Sequence, residues 1–344
     1  MTCAVVILNW NGAAHLRRYL PSVVAYSAGA RLIVADNGST DDSRAAVAEH
    51  ADIEWLPLGR NCGFAEGYER ALARVDAEVY VLLNSDVRVT AGWLDAPLRR
   101  LRADPRVAAV QPKILADERP GEFEYAGACG GYVDRLGYPY CRGRIFDTVE
   151  RDAGQYDAPR RIDWASGACC FVRAEAYRAA GGLDGSYFAH MEEIDLCWRL
   201  RNLGYALWVE PASVVYHLGG GTLAYASPRK TLLNFRNALT TLVKDGRGSS
   251  LPLKLLARLV LDGVAGAQFL LRGQPRQVGA ILRAHGQFYA RLPSTLRARR
   301  EALARERTAA AGAPWTHGPS ASIVADAYLR GRRRFSQLGL GAGD

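Results

Sequence analysis

Two acidic segments, far apart in the chain, contain the residues best suited to chemistry. Glu192, Glu193 and Asp195 open a predicted helix, and Asp86 ends an apolar run. Acids at a helix start are stabilised by the positive end of the helix dipole, and one of them can serve as a base facing a cleft. An acidic first turn alone is more often a helix cap. Its occurrence together with Asp86 favours an active site.

The three acids near position 193 differ in how free they are to act as a base. Adjacent helix residues point about 100° apart, so only one of Glu192 and Glu193 can face a reacting group directly. Asp195 and Arg199 have the spacing of a helix ion pair, which lowers the pKa of a carboxylate. Glu193 has only Cys197 in that register. The pattern predicts Glu193 as the general base and Asp195 as a structural residue.

Asp86 is suited to hold a divalent cation. No dinucleotide-binding or P-loop glycine motif follows the first apolar run, so a nucleotide would need another partner for its phosphates. Hard cations prefer carboxylate oxygens, and Mg²⁺ or Mn²⁺ often bridges one protein acid to a diphosphate. The sequence therefore predicts a Mg²⁺ or Mn²⁺ cofactor at Asp86.

Alternating strand and helix patterns in the first 110 residues must position these acids. The predicted strands are 4–8, 31–35, 53–56 and 78–83, and the predicted helices are 15–25, 41–49 and 65–74. This alternation indicates an α/β fold, with a mostly parallel sheet covered by helices on both faces. Ligands of such sheets bind beyond the carboxyl ends of the strands.

Three of these strand ends carry short polar residues. They are Asn9 and Asn11 after the first strand, residues 36–40 after the second, and residues 84–86 after the fourth. Each alone is typical of an ordinary turn. Three in phase on one sheet edge predict a nucleotide site, in which Asp36 accepts from a base or ribose donor.

Composition indicates one large core of about 250 residues with an appendage, since 49% of the 344 residues are hydrophobic. The N-terminus lacks a basic start before its apolar run, so we expect no cleavable signal. The seven cysteines are scattered without a CxxC pair, which is typical of reduced cytoplasmic thiols.

The C-terminal region differs in charge from the rest of the chain. Residues 251–344 contain 15 basic and five acidic residues, a net +10, whereas residues 1–250 carry a net −1. Within the apolar segment 251–271, Lys254, Arg258 and Asp262 recur every four residues, which argues against a spanning helix. That helix either packs on the core or lies in a membrane interface. We favour the interface because more arginines follow.

Eight short motifs, taken in order, resemble known enzymes. VVILNWN at 5–11, VADNGSTDDS at 34–43, NCGFAEG at 61–67 and LNSD at 83–86 resemble family-2 nucleotide-sugar glycosyltransferases. SGA at 166–168, GGLD at 181–184, EEIDLCWR at 192–199 and HLGGGT at 217–222 resemble the bacterial rhamnosyltransferase-like branch. Each motif is weak alone, but the ordered set is specific and covers roughly residues 3 to 245.

The resemblance implies a Rossmann-like GT-A fold over residues 1–245, with a donor half at 1–110 and an acceptor half at 111–245. Residues 246–344 would then form a basic helical extension. It also implies inverting transfer of a sugar, rhamnose among the candidates, from a nucleoside diphosphate. The acceptor would be a glycan or a polyprenyl-linked glycan in cell-surface polysaccharide synthesis. The enzyme would be cytoplasmic, with peripheral contact to the inner membrane face through the C-terminal region.

The resemblance also assigns roles to individual residues. Asp86 would bind the metal, His217 would be a further contact to the metal or the diphosphate, and Glu193 falls where the family usually has an aspartate base. The implied substrate contacts are Asn9, Asn11, Asp36, Asn61, Gly63, Asn84, Ser85, Trp164, Gly167 and Glu192. Asn84 departs from the family, since it replaces the first acid of a DxD motif.

Several alternatives stay open at this point. His217 is equally compatible with a structural role, and Trp164 with a place in the core. A nucleotidyltransferase would share the strand order but should have a glycine-rich basic loop after the first strand. A non-catalytic protein, binding nucleotide sugars or nucleic acid, would need no acids at 86 and 193. We expect no nucleic acid partner.

Overall fold

The structure is a computed structural model that describes residues 1–219, 227–308, 318 and 320–339. Gly220, Gly221 and Thr222 of the motif that begins at His217 therefore lie outside the described residues. Among the helices described, none combines the length and the apolar character needed to cross a bilayer.

The strands form two sheets. Their bounds are β1 Cys3–Asn9, β2 Arg31–Asp36, β3 Ile53–Pro57, β4 Val79–Asn84, β5 Val87–Val89, β6 Val107–Ala116, β7 Gly131–Val133, β8 Pro139–Cys141, β9 Arg144–Ile145, β10 Thr148–Val149, β11 Arg160–Arg161, β12 Cys169–Arg173 and β13 Ala206–His217. The main sheet has the order β11-β13-β6-β12-β4-β1-β2-β3, with β5 beside β13. Strands β7 to β10 make a smaller sheet over the middle of the chain.

The main sheet is mostly parallel in its first half, as the alternating pattern predicted. β1 runs parallel to β2 and β4, and β2 runs parallel to β3. β12 is antiparallel to both of its neighbours, β4 and β6. This reversal brings the turn before β12, residues 166–168, to the carboxyl end of β4.

Helices cover both faces of the main sheet. Their bounds are α1 Ala13–Tyr26, α2 Ser43–Ala48, α3 Gly63–Leu72, α4 Asp95–Ala103, α5 Ala174–Ala179, α6 Glu192–Asn202, α7 Pro228–Asp245, α8 Leu251–Leu271, α9 Pro275–Thr308 and α10 Ile323–Tyr328. Side chains of a strand alternate between faces. Accordingly, Val5 packs in one core with Leu16 of α1, whereas Val6 packs in the other with Tyr68 of α3.

Strand register confirms that the polar strand ends share one edge. Asn9 at the end of β1 pairs with Asp36 at the end of β2, and Leu8 pairs with Asn84 at the end of β4. Parallel neighbours end on the same side of a sheet, so the loops after all three strands open toward one region.

The helical part of the molecule begins at Pro228, before the expected boundary at residue 245. α7 packs most extensively on α9 and also contacts α6, while α8 packs on α9. The chain end returns to the smaller sheet, where the Ile323 amide donates to Asp134 Oδ2 at 2.8 Å and buried Phe335 packs on Tyr132. Residues 320–338 are therefore a docked segment of the fold.

Candidate active site

The loops after β1 and β2 are tied together around Asp36. Asn9 Nδ2 donates to Asp36 Oδ1 at 3.3 Å and to Ser39 Oγ at 3.1 Å. The Ser39 amide donates to Asp36 Oδ2 at 3.1 Å, and the Asn11 amide donates to Ser39 Oγ at 2.8 Å. Asn9 is fully buried. It therefore positions Asp36 and does not line an open surface.

Glycine is required where the second loop meets the third. Gly38 has φ +78°, and a Cβ there would lie 2.6 Å from the Cα of Arg60. Only glycine adopts this conformation without strain and permits so close a backbone approach. The contact places Asn61 beside the Asp36 loop, where Asn61 Oδ1 accepts from the amide of Gly63 at 2.9 Å.

The start of α3 docks on the segment that precedes the acids of α6. Gly63 has φ +83°, and a Cβ there would lie 2.6 Å from the carbonyl oxygen of Phe188. The Phe64 amide donates to that same carbonyl at 2.7 Å. The start of α3 and the acid-bearing segment are thus joined by backbone contact at Gly63 and Phe64.

Asp86 and His217 lie together, as the metal assignment requires. His217 ends β13, where it pairs with Val87 of β5, and its Nε2 lies 3.1 Å from Asp86 Oδ1. Asn84 Nδ2 lies 3.5 Å from the same nitrogen. On the far side of the ring, His217 Nδ1 lies 3.4 Å from Oε1 of Glu124, without hydrogen-bond alignment. The imidazole therefore sits between two buried carboxylates.

The charges of this cluster are mutually dependent. Burial favours a neutral imidazole, but the carboxylates of Glu124 and Asp86 outweigh it and raise the pKa of His217 to about 10. Burial also opposes a charged Asp86, yet its hydrogen bond to His217 lowers the pKa of Asp86. The Asp86 carboxylate offers the oxygen ligand that Mg²⁺ or Mn²⁺ prefers, whereas His217 would bind such an ion only after releasing the proton that its Nε2 donates to Asp86.

Contacts at Ser85 and Gly167 show how the loop after β4 lies relative to α1 and α6. A Cβ at Gly12 would lie 3.5 Å from Ser85 Oγ, so Ser85 faces the start of α1. The Asn84 amide donates to the carbonyl of Ala168 at 3.0 Å. A Cβ at Gly167 would lie 3.9 Å from that of Glu193. Glu193 and Asp86 therefore lie along the same edge of the sheet.

Three residues before α6 have a left-handed backbone although they are not glycine. Phe188, His190 and Met191 have φ of 67°, 68° and 74°. Such residues carry strain, persist only where their surroundings hold them, and concentrate at functional sites. The strained turn ends at Met191, directly before the two glutamates.

Asn237 of α7 holds this strained turn. Its Nδ2 donates to the carbonyls of Tyr187 at 3.2 Å, Ala189 at 3.0 Å and His190 at 2.7 Å. The neighbouring Arg236 adds a hydrogen bond to Tyr187 O at 3.0 Å. Asn237 thus fixes the backbone from which Glu193 projects.

Replacing Asn237 with alanine is expected to lower kcat by about 10-fold or more, because small displacements of a catalytic group are costly. It should also reduce the free energy of unfolding by about 1–3 kcal/mol through unpaired buried carbonyls. Steady-state kinetics far below the unfolding temperature test the first effect. Thr240→Ala is the matched control, since the hydrogen bond of the Thr240 hydroxyl among the described residues is to the Arg236 carbonyl of its own helix. A lower Tm with unchanged kcat would make Asn237 purely structural.

Glu192 and Glu193 are both carboxylates that burial makes hard to ionise. Within the described residues, Oε2 of each is buried without a hydrogen-bond partner. Burial raises the pKa of Glu193 to about 7, and burial together with the Glu193 charge raises that of Glu192 further. Glu192 is 4% exposed, whereas Glu193 is partly exposed beside Gly167. Glu193 is therefore the more accessible of the two carboxylates.

Asp195 is tied into a structural ion network, in agreement with its spacing from Arg199. Arg199 donates to Asp195 Oδ2 through NH2 at 2.6 Å and Nε at 3.1 Å. Lys244 Nζ lies 2.8 Å from Asp195 Oδ1, which also accepts from the Tyr187 hydroxyl at 3.0 Å. Burial opposes ionisation, but these cations hold the pKa of Asp195 far below its usual range. A carboxylate this acidic is a poor base.

Trp164 lies in the core between the two sheets. It is 3% exposed, and its Nε1 donates to the carbonyl of Tyr132 at 3.0 Å. A Cβ at Gly131 would overlap the indole ring. Two roles were considered for Trp164, a place in the core and a contact to the acceptor. The structure shows it packed in the core.

The chain is similar in sequence to known glycosyltransferases. The profile of "Glycosyl transferase family 2" matches residues 4–163. The chain is 29% identical over 235 residues to the N-acetylglucosaminyl-diphospho-decaprenol L-rhamnosyltransferase of Mycobacterium tuberculosis, covering 63% of this chain and 76% of that one. It is 32% identical over 219 residues to the pre-mycofactocin glycosyltransferase of the same species, of which it spans only 42%.

Solved structures agree on the fold. The Staphylococcus aureus TarS 1-349 complex with UDP-GlcNAc is similar at a TM-score of 0.54 and 15% identity, with 96% of this chain and 93% of that chain covered. The Pyrobaculum calidifontis mannosyltransferase PcManGT with GDP-Man and Mn²⁺ has a TM-score of 0.51 at 17% identity, with 83% and 86% covered. GalNAc-T7 with UDP, GalNAc and Mn²⁺ has a TM-score of 0.55 at 15% identity, covering 71% of this chain but only 48% of that chain.

These findings support a glycosyltransferase over the two alternatives, a nucleotidyltransferase and a non-catalytic binding protein. The order β1 to β4 and the loops at their carboxyl ends fall within the matched residues 4–163. The structural similarity to TarS extends over 96% of this chain and so reaches well beyond those matched residues. The chain therefore contains a glycosyl transferase family 2 domain with the GT-A fold, and it is a glycosyltransferase.

Proposed function

We propose that this enzyme transfers L-rhamnose, with inversion, from a nucleoside diphosphate to a polyprenyl-diphosphate-linked glycan of a cell-surface polysaccharide. The observation that carries the proposal is the placement of Glu193, a carboxylate with an unpaired buried oxygen, along the same sheet edge as Asp86 and His217. The sugar and the acceptor are proposed because the rhamnosyltransferase relative is named for that donor sugar and a decaprenyl-diphosphate acceptor.

Inversion follows from a single base acting on the face opposite the leaving group. Glu193 accepts the proton of the acceptor hydroxyl while the acceptor oxygen bonds to the anomeric carbon. The bond from that carbon to the diphosphate oxygen breaks in the same step, and its electron pair leaves with the nucleotide. A base whose pKa is about 7 both accepts this proton and releases it near neutral pH.

Asp86 and His217 would hold a divalent cation together with the donor diphosphate. Such an ion, Mg²⁺ or Mn²⁺, neutralises the charge that develops on the leaving diphosphate. Mg²⁺ commonly takes one or two protein ligands and completes its shell with phosphate oxygens and water. Asn84 stands where the family usually has another acid, and its Nδ2 lies 3.5 Å from His217 Nε2.

The nucleoside would bind at the loops after β1 and β2. Asp36 uses both carboxylate oxygens within the loop, but each oxygen has a second lone pair for a base or ribose donor. Asn11, exposed beside Ser39, and Asn61, exposed beside Gly63, would border the same nucleoside. The residue ranges 1–110 and 111–245 thereby serve as donor and acceptor halves.

The acceptor sets where the enzyme works. A polyprenyl diphosphate is anchored in the bilayer by its chain, so we propose that the enzyme acts as a peripheral protein on the cytoplasmic membrane face. Residues 246–344, with most of the net positive charge, would face an anionic leaflet.

A donor screen and a product analysis test the proposal. UDP-, dTDP- and GDP-sugars are compared by thermal shift with and without Mn²⁺, and we expect one of them to raise Tm in a Mn²⁺-dependent manner. That donor is then incubated with N-acetylglucosaminyl-diphospho-polyprenol, and NMR gives the anomeric configuration of the product. Transfer with inversion is expected. Retention of configuration, or acceptance of a non-lipid glycan in place of the polyprenol, would contradict the proposal.

A further inference from the structure

The side of helix α8 that carries Arg258 and Asp262 faces the protein. Arg258 and Asp262 are buried although they belong to an exposed helix. The Arg258 guanidinium lies 3.7 Å from the ring centre of Tyr138 and donates to the carbonyl of Leu136 at 3.2 Å. Asp262 Oδ2 lies 3.0 Å from Nε2 of His285 on α9. Arg258 and Asp262 of the predicted charge stripe therefore dock α8 on the residues between β7 and β8 and on α9.

The opposite side of α8 is an apolar stripe without a protein partner among the described residues. Its large side chains are between 58% and 90% exposed: Leu253, Leu256, Val260, Val264, Leu270 and Leu271. Leu253, Leu256, Val260 and Val264 recur at the three- and four-residue spacing of one helix face, and Leu271 continues it seven residues later. A surface helix normally buries such a face and exposes its charges. In α8 Arg258 and Asp262 are buried and the large apolar side chains are exposed, so an apolar environment would stabilise its outer face.

Basic residues border this stripe. Arg272 and Arg276 follow directly on its last leucines and are exposed, and Lys254 lies near its first turn. On α9, exposed Leu282 is followed by exposed Arg283. An apolar helix face with cations at its borders is the composition of helices that lie in a membrane interface. The cations would meet lipid phosphates at the depth where the apolar side chains end.

We propose that the outer face of α8, Leu253 to Leu271, is a docking surface for an anionic lipid bilayer. The helix lies parallel to the membrane plane, its leucines and valines enter the boundary between headgroups and acyl chains, and Arg272 and Arg276 contact lipid phosphates. The inference rests on the proposed function in that a polyprenyl-linked acceptor is reached only at a bilayer. Its test does not depend on sugar transfer.

Charge favours a lipid surface over a second copy of this chain. Positive side chains lie at both ends of the stripe, Lys254 at one and Arg272 at the other. Two copies packed through this face would oppose positive ends in either orientation of the helices, which is unfavourable. Anionic lipids neutralise both ends.

Sedimentation of the full-length protein with vesicles tests the proposal. Vesicles of phosphatidylcholine with about 30% phosphatidylglycerol are compared with pure phosphatidylcholine. The double variant Leu256→Asp with Val260→Asp should lower the partition coefficient on the anionic vesicles by about 10-fold or more. Arg272→Glu with Arg276→Glu should remove the preference for anionic vesicles. Leu329→Asp is the matched control because Leu329 is 84% exposed but lies outside α8.

Each result decides for or against the docking surface. Unchanged Tm in the α8 variant, expected for exposed positions, assigns a loss of vesicle binding to the surface itself. Equal loss in Leu329→Asp, or undiminished binding by the α8 variant, would overturn the proposal. If sedimentation velocity shows that the α8 variant converts a dimer to a monomer while vesicle binding persists, the face is a self-association surface instead.

A transfer assay separates this inference from the proposed function. With an acceptor carrying a short, water-soluble lipid, the α8 variant should retain the wild-type rate. With the acceptor in vesicles, its rate should fall in proportion to its bound fraction. Absence of transfer by wild type with both acceptors would refute the proposed function and leave the vesicle-binding result standing.

Discussion

Replacing Glu193 with glutamine is expected to lower kcat by about 100-fold or more while donor affinity stays nearly the same. Glutamine preserves the shape of the side chain but cannot take a proton. The donor contacts proposed at Asp36 and Asp86 belong to other loops, so binding should survive. Steady-state kinetics and a donor-induced thermal shift measure the two effects separately.

The pH profile gives a second readout for the same residue. The carboxylate form of Glu193 is the active base, so a pKa of about 7 predicts that kcat falls as pH drops below 7 and levels off above it. The residual activity of Glu193→Gln should lack this dependence. A wild-type profile that stays flat between pH 5 and pH 8 would contradict Glu193 as the base.

Stability should change in the opposite direction to activity. Folding raises the pKa of Glu193 from 4.5 to about 7, so the folded state binds this proton more tightly than the unfolded chain. The free energy of unfolding of the wild type therefore falls as pH rises through this window. Glu193→Gln removes that loss and should be more stable than wild type at pH 8, on the order of 1–3 kcal/mol. At pH 4 the two should be alike.

Variants at Glu192 and Asp195 test which of the three acids is the base. Glu192→Gln should retain most activity because Glu192 is only 4% exposed. Asp195→Asn should destabilise the protein, since it leaves Arg199 without its paired carboxylate and removes one of the two carboxylates that contact Lys244. If a folded Asp195→Asn protein were inactive while Glu193→Gln still turned over, the base would be Asp195.

Local patterns were sufficient for the elements and for the common sheet edge. Buried parallel strands read as continuous apolar runs, and polar turn residues follow each of them, which placed Asn9, Asp36 and Asn84 correctly. The pairing of Asp195 with Arg199 follows from helical spacing alone. Each of these features depends on residues close in sequence or on the regular geometry of one element.

Contacts between segments that are far apart in the chain could not be predicted from the sequence. Glu124 supports His217 from a loop before the smaller sheet, and Asn237 reaches the His190 carbonyl from 47 residues away. Neither residue has a local signal, because an acid in a loop or an amide on a helix is ordinary. The sequence also predicted the charge stripe of α8 without indicating which side faces the protein. Arg258 and Asp262 decide that through partners on other elements.

Replacing Asp86 with alanine is expected to abolish transfer and the Mn²⁺-dependent part of donor binding. Within the described residues, Asp86 supplies the carboxylate that lies next to His217 Nε2, 3.1 Å away. Its loss removes a ligand and leaves the diphosphate without the charge neutralisation that a cation supplies. We expect kcat to fall by about 1,000-fold or more, as for loss of a major electrostatic contribution.

The control for Asp86 must separate loss of a ligand from loss of structure. Asp86 lies at a sheet edge and pairs with a histidine that keeps Glu124 as a second partner, so the fold should survive. Far-UV circular dichroism and Tm verify this. Glu124→Gln is the matched variant, since it weakens the support of His217 but keeps the Asp86 carboxylate, and it should bind the donor with Mn²⁺ at reduced affinity. Wild-type activity that is unchanged by EDTA would remove the metal from the mechanism. In that case the His217 imidazolium, held in place by Asp86, would be the counter-charge for the leaving diphosphate.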